Sequence, residues 1–295
     1  MISLITCVYN QNPNYFIECI KSVENQDTPV EWIIVDDGSD NSYYNTYKEC
    51  LAMMKNNHKV NLLRLPQNMG LSYARNEGIR RANYDWIVVL DSDDWLAPNL
   101  FRNITLLPPN IKLVNCSVEY FDEHIIEYRP VTRWRTLYNH FGRTIADPFL
   151  WFDFYYHGII AKKKLLNNIG GYKNNLKLGE DQDILIRACE AIKTEDLYFM
   201  DEVGYHYRNN REGVCTKYWP IVEKNYCATM TEASRRRGSI FIDCKFMEKI
   251  CIDGAMIDTY SYKEKNRWVT WNGCIDKYFS IKEDFIFLSQ IKESN

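Results

Sequence analysis

The sequence predicts an α/β fold, in which a mainly parallel sheet carries helices on both faces and a mainly helical C-terminal extension follows. Strand-like and helix-like segments alternate through roughly the first hundred residues, which is typical of parallel sheets. The segments WIIV and WIVVL are continuous apolar runs, as expected for strands buried on both faces. Polar residues follow three of the strand-like runs, at the position where open parallel sheets bind ligands.

The elements of the first half are predicted in chain order. Strands are expected in ISLITCVYN, VEWIIVDDGSD, KVNLLRLPQNMG and DWIVVLDSDD. Helices are expected between them in NYFIECIKSVENQ, NTYKECLAMMKNN and LSYARNEGIRRAN. The first of these helices has apolar residues at Phe16, Ile17, Ile20 and Val23, a spacing that places them on one helical face.

The pattern is looser in the second half. KLVNCSVEYF is typical of a strand, and GEDQDILIRACEAIK of a helix whose opening acids favour the positive end of the helix dipole. The segments after residue 215 are read as helical, including FIDCKFMEKICIDGAMIDTYSYK. We therefore expect one domain over 1–214, made of the two parts 1–110 and 111–214, and a helical region over 215–295.

Bulk composition excludes several classes of protein. The 295 residues carry a formal net charge of −3, so there is no electrostatic reason to expect a nucleic acid partner. No apolar run approaches the ~20 residues needed to span a bilayer, and the N-terminus lacks the features of a signal peptide. The ten cysteines form no CxxC pair and are expected to be reduced thiols in the cytoplasm.

Polar clusters follow three predicted strands: Tyr9-Asn10, Asp36-Asp37 and the run Asp91-Ser92-Asp93-Asp94. Parallel neighbouring strands would bring these clusters to one edge of the sheet. Asp91 and Asp93 project to the same side of a strand, and carboxylate oxygens suit Mg²⁺ or Mn²⁺. The alternative is a solvated turn in which Asp93 or Asp94 caps a following helix.

Two further segments contain candidate binding residues. Asp37 can accept a hydrogen bond from a ribose hydroxyl or a base N–H, although Asp, Gly and Ser are also common in turns. Gly70 permits a close or left-handed backbone before the third helix. Arg75 can pair with Asp91 or Asp37, or contact a phosphate.

The segments TCVYN, VDDGSD, NMGLSYARNEGI, DWIVVLDSDD, IGGY and GED occur in an order and spacing that resembles the family-2 glycosyltransferases. The resemblance covers about residues 2–208, and it implies that 1–110 is a nucleotide-sugar-binding half and 111–214 an acceptor-binding half. It implies the Rossmann-like GT-A fold and an inverting transfer of a sugar from a nucleoside diphosphate sugar, with UDP-sugars favoured. The acceptor would be a hydroxyl of a glycan or a lipid-linked molecule, and the diphosphate would be held by Mn²⁺ or Mg²⁺.

The resemblance also implies roles for individual residues. Asp181 would be the general base, with Glu180 and Trp151 contacting or positioning the acceptor. Asp93 would ligate the metal, together with Asp91 and His206. The donor would be held by Thr6, Val8, Tyr9, Asp36, Asp37, Gly70, Arg75, Asp91 and Ser92, and its phosphates by Arg208 and Arg211.

Several of these roles have structural alternatives. Glu180 and Asp181 can simply be acids at a helix N-terminus, and Asp183 is a rival for the base. His206 can be a structural histidine. At the level of function, the alternatives are a non-catalytic nucleotide- or carbohydrate-binding module and a metal-dependent phosphoryl or nucleotidyl transferase. A peripheral membrane contact through basic runs at 162–164 and 235–237 and a homodimer are left open.

Overall fold

The computed structural model describes residues 1–55, 58–122, 125–129, 158–209, 241–252, 255–264 and 267–272, and single positions between Lys217 and Arg236. No helix in these ranges is long and apolar enough to cross a membrane. The predicted acceptor residue Trp151 and the predicted phosphate ligand Arg211 lie outside the described residues.

Nine strands of the described residues form one mixed sheet in the order β3-β2-β1-β4-β8-β6-β9-β5, with β7 paired to β6. The strands are β1 (Ile2–Val8), β2 (Glu31–Asp36), β3 (Lys59–Arg64), β4 (Trp86–Val89), β5 (Trp95–Leu96), β6 (Leu113–Asp122), β7 (Ile125–Arg129), β8 (Ile160–Lys162) and β9 (Leu197–Arg208). The first four are parallel. Beyond β4 the pairings are antiparallel, except that β6 and β9 are parallel. The predicted halves 1–110 and 111–214 therefore share one sheet.

In the part of the chain that the structure describes, six α-helices accompany this sheet: α1 (Pro13–Glu24), α2 (Asn41–Ala52), α3 (Leu71–Arg81), α4 (Leu100–Thr105), α5 (Lys163–Asn168) and α6 (Glu180–Glu190). Helix α1 begins where the Asn12 side chain accepts a hydrogen bond from the Asn14 N–H at 3.0 Å, with Pro13 in the first turn. Both features are common helix-start signals.

Strand β2 shows how the sheet is buried on both faces. Ile33 packs in one core cluster with Ile79 of α3, whereas Trp32 and Ile34 pack in the other with Phe16 of α1. Side chains alternate between the two faces of a strand, so a strand covered on both sides must be apolar throughout. The continuous apolar runs therefore predicted these central strands correctly.

The turn after β2 depends on a glycine. Gly38 has φ +75°, and a Cβ atom there would lie 2.3 Å from the carbonyl carbon of Gln67.

We expect Gly38→Ala to lower the free energy of unfolding by about 2 kcal/mol or more, because the variant would suffer both backbone strain and a clash with the Gln67 backbone. Urea unfolding of Gly170→Ala provides the matched control, since Gly170 has φ +80° with nothing within 4 Å. Equal losses in the two variants would refute the role of the close contact.

The C-terminal region differs from the predicted helices. The described positions between Lys217 and Arg236 are helical or in a turn. However, β10 (Phe241–Ile252), β11 (Ala255–Glu264) and β12 (Arg267–Asn272) form a separate antiparallel sheet. The helical prediction is therefore corrected over 241–272. Ile252 pairs with Ala255 across the dipeptide Asp253-Gly254, and Asp-Gly between two apolar runs is a strong hairpin signal.

Candidate active site

The polar ends of β1, β2 and β4 meet at one edge of the sheet. These strands are parallel neighbours, with β1 between the other two. The Asp37 N–H donates to the Val8 carbonyl at 2.9 Å. The Gln11 side chain, after β1, donates to the Ser92 hydroxyl at 2.8 Å. The loop after β1 is thus joined to the acidic turn after β4, and the predicted convergence is present.

The predicted donor-binding residues on β1 and directly after it differ in accessibility. Thr6 is fully buried, and its hydroxyl accepts a hydrogen bond from the Trp32 indole N–H at 3.0 Å. The Val8 side chain is also buried, whereas Tyr9 is 51% exposed. Of these three side chains, that of Tyr9 is the one available to a ligand.

The two aspartates after β2 hold the surrounding loops. Asp36 accepts from the Ser39 N–H at 3.0 Å and lies 3.2 Å from Arg64. The Asp37 carboxylate accepts from the N–H groups of Met69 and Gly70, at 2.7 and 2.9 Å. Burial raises the pKa of Asp37, and these two N–H groups oppose that rise. Asp37 therefore fixes the loop that precedes α3.

Gly70 is at the N-terminal boundary of α3 and has φ +93°. This is the left-handed backbone that the sequence predicts, and its N–H is held by the Asp37 carboxylate at 2.9 Å. The conformation lets the loop from β3 turn into α3, which in turn positions Arg75.

The carboxylates of the acidic turn have different surroundings. Asp91 pairs with Arg75 at 2.6 Å. Asp93 is partly exposed, and burial of its carboxyl group together with the charge of Asp91 raises its pKa to about 6. Asp94 is buried and accepts hydrogen bonds from Tyr205 and Arg208. The three carboxylates therefore have different chemical environments. Such differences are expected because neighbouring negative charges repel, which makes it costly to ionise all three groups at once.

The acidic turn fits a metal that is held mainly by a substrate. No group of three or more His, Cys, Asp or Glu side chains in the described ranges is arranged to hold a metal. However, Mg²⁺ commonly uses one or two carboxylates together with substrate phosphates. Asp91 and Asp93 would supply such a pair, and a cation would offset the burial and the repulsion from Asp91 that together raise the pKa of Asp93.

His206 lies next to this turn but has other partners. Its Nδ1 atom is 3.0 Å from a carboxylate oxygen of Glu119. Its ring stacks on Trp95, with centroids 5.6 Å apart and an interplanar angle of 13°. Burial lowers the pKa of His206, and Glu119 opposes this effect. These contacts favour the structural alternative, and metal ligation by His206 stays a prediction.

Arg208 reaches the acidic turn through its guanidinium group. The Nε–H donates to the Asp93 carbonyl at 2.9 Å. The same group is paired with Glu18 and lies over the rings of Tyr15 and Trp95, at 4.3 and 4.9 Å. A phosphate bound by Arg208 would therefore compete with Glu18.

Arg75 joins the acidic turn to the start of α6. Its guanidinium group donates to Asp91 at 2.6 Å and to Glu180 at 2.8 Å, and it lies over the Tyr172 ring at 5.1 Å. The sequence left Asp91 and Asp37 open as partners, and the structure pairs Arg75 with Asp91. Glu180 and Tyr172 were not foreseen as partners, because they are about a hundred residues away along the chain.

Asp181 is in the first turn of α6, directly after Glu180. Burial of its carboxyl group and the charges of Glu180 and Asp91 raise its pKa to about 7, and Arg75 opposes this rise. The rival Asp183 is fully buried and paired with Arg187 and Lys173. The pKa of Asp181 therefore suits a general base near neutral pH, whereas the carboxylate of Asp183 is engaged by two cationic side chains.

The family model described as Glycosyl transferase family 2 matches residues 3–170. The glycosyltransferase GlyG of Streptococcus pneumoniae is 31% identical over 105 residues, which is 35% of this chain and 34% of GlyG. The matched part of this chain spans between 27% and 36% of the length of the first curated relatives.

Two solved structures resemble this chain at 18% sequence identity. S. aureus TarS, in complex with UDP-GlcNAc, has a TM-score of 0.62 over 79% of this chain and 65% of that one. The mannosyltransferase PcManGT from Pyrobaculum calidifontis, in complex with GDP-Man and Mn²⁺, has a TM-score of 0.60 over 80% of this chain and 64% of that one. At this level of identity the similarity concerns the fold, and it confirms the predicted GT-A class.

Proposed function

We propose, from the premise that this chain belongs to glycosyl transferase family 2, that it transfers a sugar from a nucleoside diphosphate sugar to an acceptor hydroxyl with inversion at the anomeric carbon. UDP-sugars are the favoured donors, and a glycan or a lipid-linked molecule is the expected acceptor. TarS and PcManGT, which share the fold, were solved with UDP-GlcNAc and with GDP-Man and Mn²⁺.

The donor would bind at the edge of the sheet where β1, β2 and β4 end. Tyr9 offers an exposed aromatic ring, and Asp37 retains lone pairs for a hydroxyl or a base N–H beside its two backbone contacts. Asp91 and Asp93 would hold Mn²⁺ or Mg²⁺ at the diphosphate. When bound, such a metal stabilises the negative charge that develops on the departing diphosphate.

Asp181 would take the proton from the acceptor hydroxyl. Inversion requires the acceptor oxygen to attack on the face opposite the departing diphosphate, so the base belongs on the acceptor side of the sugar. Glu180 beside it would orient the acceptor or the sugar. The predicted acceptor contact Trp151 is outside the described residues and stays a prediction.

The observation that carries the proposal is the bridge made by Arg75. One guanidinium group contacts both the acidic turn, through Asp91, and the start of α6, through Glu180. The proposed donor site and the proposed base are therefore held at a fixed separation by one buried cation. A binding module would gain little from an aspartate with a pKa of about 7 at that position.

A transfer assay tests the proposal. Purified protein is incubated with a panel of UDP-, GDP- and dTDP-sugars, Mn²⁺ and candidate glycan or lipid-linked acceptors, and the products are analysed by mass spectrometry. We expect a glycosylated acceptor and a free nucleoside diphosphate, both lost on adding EDTA. A new phosphate linkage in the product would support a phosphoryl or nucleotidyl transferase. Tight nucleotide binding without turnover on any pair would support a binding module.

Replacing Arg75 tests the bridge. Arg75→Lys keeps a positive charge, but an ammonium group cannot span two carboxylates with the planar fork of arginine. We expect kcat/KM for transfer to fall at least about tenfold. Arg80→Lys is the matched control, since Arg80 is on the same helix and exposed, with its side chain paired to Glu77. Unchanged kcat/KM in Arg75→Lys would contradict the role of the bridge.

A further inference from the structure

Asp94 is held differently from the other two carboxylates of the acidic turn. It is 1% exposed, and both of its oxygens accept hydrogen bonds from β9. The Tyr205 hydroxyl donates to one oxygen at 2.7 Å, and the Arg208 backbone N–H donates to the other at 2.7 Å. With both oxygens used in this way, Asp94 is poorly placed to serve as a metal ligand.

The Tyr205 hydroxyl also contacts the start of the turn. It accepts a hydrogen bond from the Asp91 N–H at 3.2 Å while it donates to Asp94. The Asp94 N–H in turn donates to the Asp91 carbonyl at 3.2 Å. The Tyr205 hydroxyl therefore links Asp91 at the start of the turn to Asp94 at its end, and Asp93 lies between these two residues in the chain.

The Tyr205 ring is itself fixed. Tyr205 is 2% exposed, and a Cβ atom at Gly158 would lie only 2.4 Å from the ring. The backbone of Tyr205 is also paired with Leu96 of β5, and directly after β5 the Ala97 N–H donates to the Gly204 carbonyl at 3.1 Å. Packing of this density leaves the hydroxyl little freedom to move away from the turn.

We propose that Tyr205 and Asp94 are positioning residues, whose hydrogen bond sets the shape of the acidic turn so that Asp91 and Asp93 are presented together to a divalent cation and its diphosphate. This role rests on the proposed function. The physical reason is that two like-charged side chains repel, so the turn must be held rigidly for both to face one ligand. Replacing a side chain that holds a metal-binding residue in place commonly lowers metal affinity by 10–100-fold.

Calorimetry on the full chain tests the proposal with Mn²⁺ and UDP as the probes. Tyr205→Phe removes the hydroxyl and keeps the ring in its packed position. We expect the Kd for Mn²⁺, measured in the presence of UDP, to rise about tenfold. With saturating Mn²⁺ and donor, kcat should stay within about threefold of wild type. A general loss of folding would lower kcat as well, so it would not produce a weaker affinity for Mn²⁺ together with a nearly unchanged kcat.

Two further variants make the test specific. Asp94→Asn retains the shape of the side chain but cannot accept from both donors at once, so we expect a rise in Kd in the same direction. The double variant should lose less metal affinity than the sum of the two single losses, since both changes break the hydrogen bond between Tyr205 and Asp94. Tyr198→Phe removes a phenol hydroxyl from an exposed position on the same strand and should bind like wild type.

The outcomes separate this role from the proposed function. If wild-type protein binds Mn²⁺ and UDP but Tyr205→Phe binds them equally well, the positioning role is overturned and the proposed function stands. Additive losses in the double variant would also overturn it. If wild-type protein binds neither probe and transfers no sugar in the panel assay, the proposed function fails, and the positioning role fails with it.

Discussion

Replacing Asp181 with asparagine is expected to lower kcat for sugar transfer by about a thousandfold, the middle of the range for losing a positioned general base. The affinity for the nucleoside diphosphate should be nearly unchanged, because the base acts on the acceptor and not on the leaving group. Asparagine keeps the size of the side chain and its contact with the Gln182 N–H. Transfer rates and calorimetry on the same preparations measure both quantities.

The pH dependence of kcat for transfer is a second test of Asp181 as the general base. Asp181 faces Glu180 from its own helix, Arg75 from α3 and Asp91 after β4, and these groups and burial set its pKa to about 7. The base form therefore predominates above neutral pH, so kcat should rise through about pH 7. Residual activity in Asp181→Asn should lack this rise. A wild-type kcat that is flat between pH 5.5 and 8.5, with chemistry rate-limiting, would contradict the assignment.

The same pKa has a consequence for stability. Because the folded-state pKa of Asp181 is raised above its unfolded value, the folded protein binds this proton more tightly, and its contribution to stability is lost as pH rises through about 7. Asp181→Asn should therefore be more stable than wild type at pH 8 by at least about 1 kcal/mol, since each pKa unit corresponds to about 1.4 kcal/mol. Asp201→Asn, an exposed carboxyl on β9, is the control. A destabilised Asp181→Asn would count against the raised pKa.

Replacing Asp93 with asparagine is the second large effect that we expect. The variant should lose metal-dependent donor binding by about a hundredfold or more and lose transfer with it, because a neutral amide is a much weaker ligand for a hard cation than a carboxylate. Donor binding in EDTA should be the same in variant and wild type. The comparison separates a metal effect from a general loss of the site.

Asp85 provides the matched control for this experiment. It lies at the opposite end of β4, where its carboxylate is 66% exposed and paired with Lys162. Asp85→Asn removes the same charge at the other end of β4 and should leave metal and donor affinity unchanged. If Asp93→Asn bound donor with wild-type dependence on Mn²⁺, the metal would have to be held elsewhere in the chain.

The parallel half of the fold could be predicted from the sequence because its signals are local. Apolar runs such as WIIV mark strands buried on both faces, and the polar residues after them mark one edge of the sheet. The convergence at Tyr9, Asp37 and Asp91 followed from these signals and from the neighbouring order of the strands.

The contacts of the antiparallel half could not be predicted in the same way. β5 pairs with β9, and nothing in the sequence near Asp94 indicates that Tyr205 will bond to it from 111 residues away. The pairing of Arg75 with Glu180 likewise depends on how α3 and α6 pack against one sheet. The segment FIDCKFMEKICIDGAMIDTYSYK was interpreted as helical although it contains an Asp-Gly hairpin signal, and the structure has strands β10 and β11 there.

The anomeric configuration of the transferred sugar tests the assignment of Asp181 as an inverting base most directly. With an α-linked nucleotide sugar as donor, a single displacement assisted by Asp181 predicts a β-linked product, which NMR of the purified glycoside identifies. The product should form in amounts matching the released nucleoside diphosphate and should be absent with Asp181→Asn. An α-linked product from wild-type protein would contradict inversion and, with it, the role of Asp181.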